Sequence, residues 1–148
     1  MKVAFELDKS VEEIHVNIID SNYSKKTMNL MEYIENFENN QNVLSIKHDD
    51  SIHIIAQEDI ELLEVNGGEV TIVTASDEIV TINRLYRLME KLNMSDFIQV
   101  SKSSVINMNA LVKLETYFSG TMLAILKCGR KVNVTRTYLV NLKKKLNI

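Results

Sequence analysis

The breaks between apolar runs constrain this chain more than the runs themselves. Between residues 52 and 82 the runs Ile52 to Ala56, Ile60 to Val65, Val70 to Thr74 and Ile79 to Ile82 are interrupted by turn-forming residues, most clearly Asn66-Gly67-Gly68 and Ala75-Ser76-Asp77. A helix usually needs about 10 residues or more of 3.6-residue periodicity. Runs this short, ended by residues that tolerate positive φ or bond their own backbone, fit strands joined by tight turns. The middle of the chain therefore reads as a meander of short β-strands.

Helical spacing brackets that meander. Leu85, Leu88, Met89 and Leu92 share one face of a helix predicted from Arg84 to about Leu92, with Asn83 as its N-cap. Two more strands, about Leu111 to Phe118 and Met122 to Lys127, surround Ser119-Gly120-Thr121, and Lys131 to Val134 follows the Cys128-Gly129-Arg130 turn. Thr135 caps a predicted last helix through Leu146, with Tyr138, Leu139, Leu142 and Leu146 facing inward and Lys143-Lys144-Lys145 at the C-terminus, where positive charge suits the helix dipole. Upstream, Val3 to Leu7 is a weak edge strand and Ile14 to Ile19 alternates as a strand does. Ser24 or Thr27 caps a helix to about Asn39 carrying Met28, Met31, Ile34 and Phe37, and Val43 to Ile46 is another strand. The polar run His48-Asp49-Asp50-Ser51 marks the one seam. The expectation is an α+β chain: a small N-terminal α/β segment over residues 1–47, then a mostly β domain with two short helices over 48–148.

Charge is unevenly spread. Residues 97–148 hold nine basic residues and one acid, 9 − 1 = +8, whereas residues 1–96 hold the other eight basic and nineteen acidic ones, 8 − 19 = −11. The total of −3 argues against a polyanionic partner; the asymmetry argues for one. Catalysis finds little support. The single Cys128 sits beside a turn, His15, His48 and His53 lie far from it in sequence, and no metal-ligand spacing, Gly-rich phosphate loop or nucleophile elbow occurs. No cofactor, metal or small-molecule substrate is expected. The N-terminus lacks the apolar core of a signal peptide and no run reaches 18 apolar residues, so the expected location is the cytoplasm.

The block Phe97-Ile98-Gln99-Val100-Ser101-Lys102-Ser103-Ser104-Val105-Ile106-Asn107 resembles the signature of LytTR-type DNA-binding domains. Glu58-Asp59-Ile60 at the start of a strand, the Leu85/Leu88/Leu92 helix and the closing block Lys131-Val132-Asn133-Val134-Thr135-Arg136-Thr137-Tyr138 fall around it in the family's order. The resemblance covers about residues 48–148. It implies a bacterial transcriptional regulator that inserts loops, not a recognition helix, into successive major grooves of double-stranded promoter DNA carrying direct repeats. It also permits a homodimer and an integral membrane protein as regulator. About 47 residues cannot hold a receiver domain, so signal input is expected to differ from that of phosphorylated members.

Site residues follow from the resemblance together with their chemistry. Lys102 and Arg136 are the expected base contacts. A cation in the signature loop can donate to guanine O6 and N7, and an arginine disfavoured by the positive end of a helix dipole is expected to point at a phosphate or a guanine. Ser101, Ser103, Lys113, Lys127, Arg130 and Lys131 are expected on the DNA backbone, which any well-placed hydroxyl or cation can hold. The family's third contact comes from the hairpin Val65-Asn66-Gly67-Gly68-Glu69. Here Glu69 repels phosphate unless it accepts from a cytosine amine, so Asn66 and Glu69 depart from the pattern. Tyr138 is read as packing under the loop, with a phosphate contact as the alternative, and Asn107 as bonding its own loop. The competing function is a protein-interaction module acting through the acidic N-terminal segment, for which the basic residues would be dispersed around the fold.

Overall fold

The computed structural model describes residues 6–12, 14–39 and 42–148. The chain divides into two compact units, Met1–Asn40 and Gln41–Ile148.

In the first unit the one regular element among the described residues is helix α1, Lys25–Asn39. Ser24 caps it: its Oγ accepts from the Thr27 backbone N–H (3.2 Å) and its carbonyl accepts from the Met28 N–H (3.0 Å). Thr27 Oγ1 donates to the Asp20 carboxylate, and that bond, with a second from the Ser21 N–H, holds the carboxyl below the usual carboxylate range. The strand expected at Ile14 to Ile19 does not form. Alternation alone cannot make a strand: its N–H and C=O groups need a neighbouring strand, and no residue of 14–19 pairs with one, so Ile14 and Ile19 stay in water. Of the edge strand expected at Val3 to Leu7, residues 3–5 lie outside the described residues, and Glu6 and Leu7 are not extended into a sheet.

The second unit opens with an antiparallel hairpin, β1 (Val43–His48) and β2 (Ser51–Ala56). The polar run expected as a seam makes the tight turn of this hairpin, with Asp49 at φ 52°. The strand at 43–48, expected to close the N-terminal segment, thus pairs forward along the chain. There follow β3 (Ile60–Asn66), β4 (Glu69–Thr74), β5 (Glu78–Thr81), helix α2 (Leu85–Met89), β6 (Phe97–Gln99), β7 (Ser104–Asn107), β8 (Leu111–Thr116), β9 (Met122–Leu126), β10 (Lys131–Val134) and helix α3 (Arg136–Leu146). Strands β5-β4-β3-β7-β6 form a five-stranded antiparallel sheet and β10-β9-β8 a three-stranded one. The fold is α+β with strands predominating, as expected. Gly67 (φ 59°) and Gly68 (φ 90°) supply the two positive-φ positions of a type I′ turn, the twist-matched way to join β3 to β4.

Both faces of the five-stranded sheet are covered, because successive side chains on a strand point to opposite sides. Leu63, Val70, Ile72, Phe97 and Val105 face one cluster with Leu44, Ile46 and Ile55 of the hairpin and Leu85 and Leu88 of α2. Leu62, Val73 and Ile106 face a second cluster with Ala124, Leu126, Val132 and Val134 of the small sheet and Leu142 of α3. A register shift between Ile60 and Leu62 marks β3. Helix α2 is shorter than the predicted 84–92. Arg84 takes the N-cap position and Asn83 Oδ1 accepts from its N–H (3.0 Å), while Leu92 reaches the core from the turn beyond the helix.

Candidate nucleic-acid interface

Antiparallel register decides which loops share an end of the sheet. Val65 pairs with Val70 and Val70 with Thr81, so the Asn66–Glu69 turn and the Ile82–Arg84 segment lie side by side. Glu64 pairs with Ser104, and the Val65 N–H donates to the Ser103 carbonyl (2.8 Å), which sets residues 100–103 beside the Asn66 turn. The Thr135 N–H donates to the Val100 carbonyl (3.0 Å), so the start of α3 joins the same end. The two expected base-contacting residues, 34 positions apart in sequence (136 − 102), are thereby brought onto adjoining loops.

The signature loop is a tight turn. The Val100 N–H (2.9 Å) and Ser101 N–H (3.4 Å) both donate to the Ser104 carbonyl. Ser101 Oγ accepts from the Ser103 N–H (3.2 Å) and lies 3.3 Å from Ser103 Oγ. These local bonds stiffen the backbone and leave Lys102 at the apex, exposed and without an ion pair to any described residue.

Arg136 is the first residue of α3. Its Nε (2.6 Å) and Nη2 donate to the Ser119 carbonyl in the turn between β8 and β9. That carbonyl is the acceptor a guanidinium at a helix N-terminus needs. Gly120 beside it takes φ 76°, a conformation that favours glycine. A guanidinium has five N–H donors, so the Nη edge remains for a base or phosphate.

The other expected contacts are not gathered here. Lys113 pairs with Glu115 (2.6 Å) on β8, and Lys113, Ile125 and Lys131 form one cross-strand row of the small sheet. Lys127 and Arg130 sit in the β9–β10 hairpin at the opposite end. There the Lys127 N–H donates to the Ala110 carbonyl (2.9 Å), Arg130 pairs with Glu78, and the Cys128 N–H donates to Glu61 Oε2 (2.8 Å). Burial pushes the Cys128 thiol up, away from a nucleophile's range. Tyr138 is half-buried. Lys145 Nζ donates to the carbonyls of Met94 (2.8 Å) and Phe97 (3.1 Å), so it caps a neighbouring turn. Asn107 is buried; its Nδ2 donates to the Ile60 carbonyl (2.9 Å) and its Oδ1 accepts from the Asn109 N–H (2.9 Å), a structural pin reaching beyond its own loop. Sequence reasoning missed Arg84, which is exposed beside the Glu69 turn: it lies in the acidic two-thirds, and only the β4–β5 register brings it to this end.

A cavity of about 220 Å³ lined by Asn42, Gln57, Glu58, Asn93, Asp96, Asn107 and Asn109 lies at the opposite end. Its amides bond backbone and the Asp96 carboxylate: Gln57 Oε1 accepts from the Asn93 N–H (2.8 Å), and Asn93 Nδ2 (3.0 Å) and Asn109 Nδ2 (3.3 Å) donate to Asp96. Among the described residues no group of His, Cys, Asp and Glu is placed to hold a metal, and no helix is long and apolar enough to cross a membrane.

The family model described as the LytTr DNA-binding domain matches residues 50–147. The chain is 30% identical, over 98% of its length, to the sensory transduction protein LytT of Bacillus subtilis, covering 63% of that protein. It is 35% identical to LytT of Bacillus anthracis and 29% identical to the transcriptional regulatory protein LytR of Staphylococcus aureus, in each case over 71% of this chain and 43% of the relative. It thus spans less than two-thirds of these curated relatives. The fold matches the LytTr DNA-binding domain of a response regulator from Bacillus cereus with a TM-score of 0.66 at 18% identity, over 73% of this chain and 99% of that one. The chain belongs to the LytTR family, and its second unit is a LytTr DNA-binding domain.

Proposed function

We propose that this chain is a sequence-specific transcriptional regulator that reads paired direct repeats in promoter DNA by placing loops in the major groove. The observation that carries this reading is the convergence of the Lys102 turn, the start of α3 and the Asn66 turn at one end of the sheet. Lys102 and the free edge of Arg136 read bases, and Ser101 and Ser103 hold the backbone. Lys113, Lys127, Arg130 and Lys131, on the small sheet and its far hairpin, stand outside this interface. Two copies act on a repeat as a homodimer or as paired monomers, with the N-terminal segment serving dimerisation or signal input.

The test is binding of the protein to its own upstream promoter DNA across a salt series, beside Lys102→Ala and Arg136→Lys. Removing a base-reading side chain costs about 1–3 kcal/mol and relaxes preference at one position, whereas removing a phosphate-holding one lowers the salt slope by about 1. The arginine replacement keeps charge but gives up the planar fork. Equal binding to promoter and random DNA at low salt overturns the reading.

A further inference from the structure

The turn between β8 and β9 carries a side chain with no part in the fold. Phe118 is 80% exposed at its tip, and Tyr117 beside it is 52% exposed. Turns ordinarily place small or polar residues at such tips, and a water-exposed phenyl ring contributes nothing to folding. The turn is nevertheless stiff. The Tyr117 N–H donates to the Thr121 carbonyl (3.0 Å), while the Thr121 N–H (3.3 Å) and Oγ1 (2.7 Å) both donate to the Phe118 carbonyl. Ser119 is held at φ 55°, a conformation that costs a non-glycine residue free energy unless its surroundings enforce it. The bonds from Arg136 to the Ser119 carbonyl supply that enforcement and tie the turn to the DNA-reading end of the domain.

We propose that Phe118 is a specificity-determining residue that packs against the C5 methyl of a thymine in the same groove that Arg136 enters. The inference rests on the DNA-reading proposal above and adds a residue to it. The major groove offers one apolar group, the thymine methyl, and Phe118 is a large apolar side chain adjoining Ser119, whose carbonyl Arg136 holds. The arrangement divides the work: the guanidinium takes a polar base edge or phosphate, and the ring takes an adjacent thymine. Arg136 has two roles here, contact and support of the turn that presents Phe118.

The experiment uses a duplex selected by the wild-type chain from a random library, then re-made with each thymine in turn replaced by deoxyuridine, which deletes the methyl alone. The wild type loses about fourfold in affinity at one thymine, the worth of one buried methyl group. Phe118→Ala binds the parent duplex about tenfold more weakly and is indifferent to that replacement; Phe118→Leu retains part of the discrimination. Both variants melt with the wild type, since the ring is exposed. Phe118→Ala binding as tightly as wild type, or keeping the thymine–uracil discrimination, overturns the inference while leaving DNA reading intact. Failure of the wild type to enrich any sequence overturns both.

Discussion

The two ends of the five-stranded sheet are built on opposite rules. At the end holding Gln57, Asn93 and Asn107, polar side chains bond across long stretches of sequence. Gln57 reaches the Asn93 N–H and the Lys91 carbonyl, Asn107 reaches the Ile60 carbonyl, and Glu61 reaches the Cys128 N–H. At the other end bonds are short-range, as between Ser101 and Ser103, or tie side chain to turn, as Arg136 does, and Lys102, Arg84 and Phe118 project into water. A buried polar group must find a partner or cost free energy, so the first end has one arrangement open to it. An exposed lysine on a stiff turn makes no such demand and keeps its donors for a ligand. One end fixes register; the other uses that fixed register to aim side chains.

The sharpest way to break this contrast is at Asn107. Asn107→Ala removes both side-chain bonds and strands the Ile60 carbonyl in a buried site, which costs about 1–3 kcal/mol. Thermal or denaturant unfolding reads that loss, and the order of preference among DNA sequences stays as in the wild type. A variant that unfolds like the wild type would show that the Asn107 bonds do not hold this end, and one that changes which sequence it prefers would show that the two ends are not separate in function.

The same contrast explains which features are legible in the sequence. The strands between residues 51 and 81 are readable because glycine, asparagine and aspartate mark their ends chemically, and turn chemistry is local. The strand expected at Ile14 to Ile19 misleads, since its alternation is real but strand formation needs a partner. The signature around Lys102 and the closing block around Arg136 are visible as motifs. Their meeting through Thr135 and Val100, and the anchoring of Arg136 on Ser119, depend on register that no local pattern encodes. Charge counting carries no information on position. It groups Arg130 with Lys102 because both lie in the basic third, whereas the hairpin carries Arg130 to the opposite end and onto Glu78, 52 positions away.

That pair gives a second, smaller test. Arg130→Ala breaks an exposed, solvent-screened ion pair and leaves stability close to that of the wild type. If the pinned end stands away from DNA, the slope of log K against log salt is the same for Arg130→Ala as for the wild type, whereas Lys102→Ala lowers affinity. A slope reduced by about 1 in Arg130→Ala would instead place the duplex along the small sheet, and the far hairpin would join the interface.

The smallest effect concerns Lys145, which links the last turn of α3 to the pinned end. Its ammonium donates to two backbone carbonyls, yet burial holds its pKa below the ordinary 10.5, with Asp96 opposing that shift. A lysine whose folded pKa is depressed binds fewer protons in the folded state than in the unfolded one between the two values. Stability therefore rises with pH through that window, and the gain is complete above 10.5. Because tyrosines and other lysines titrate nearby, the useful quantity is the stability of the wild type minus that of Lys145→Met, followed as pH approaches 10.5. That difference should climb. A flat difference would mean the ammonium remains hydrated and the cap over Met94 and Phe97 is open. A falling one would mean the charged form is preferred in the fold, with Asp96 outweighing burial, and this lysine would then count among the electrostatic supports of the pinned end.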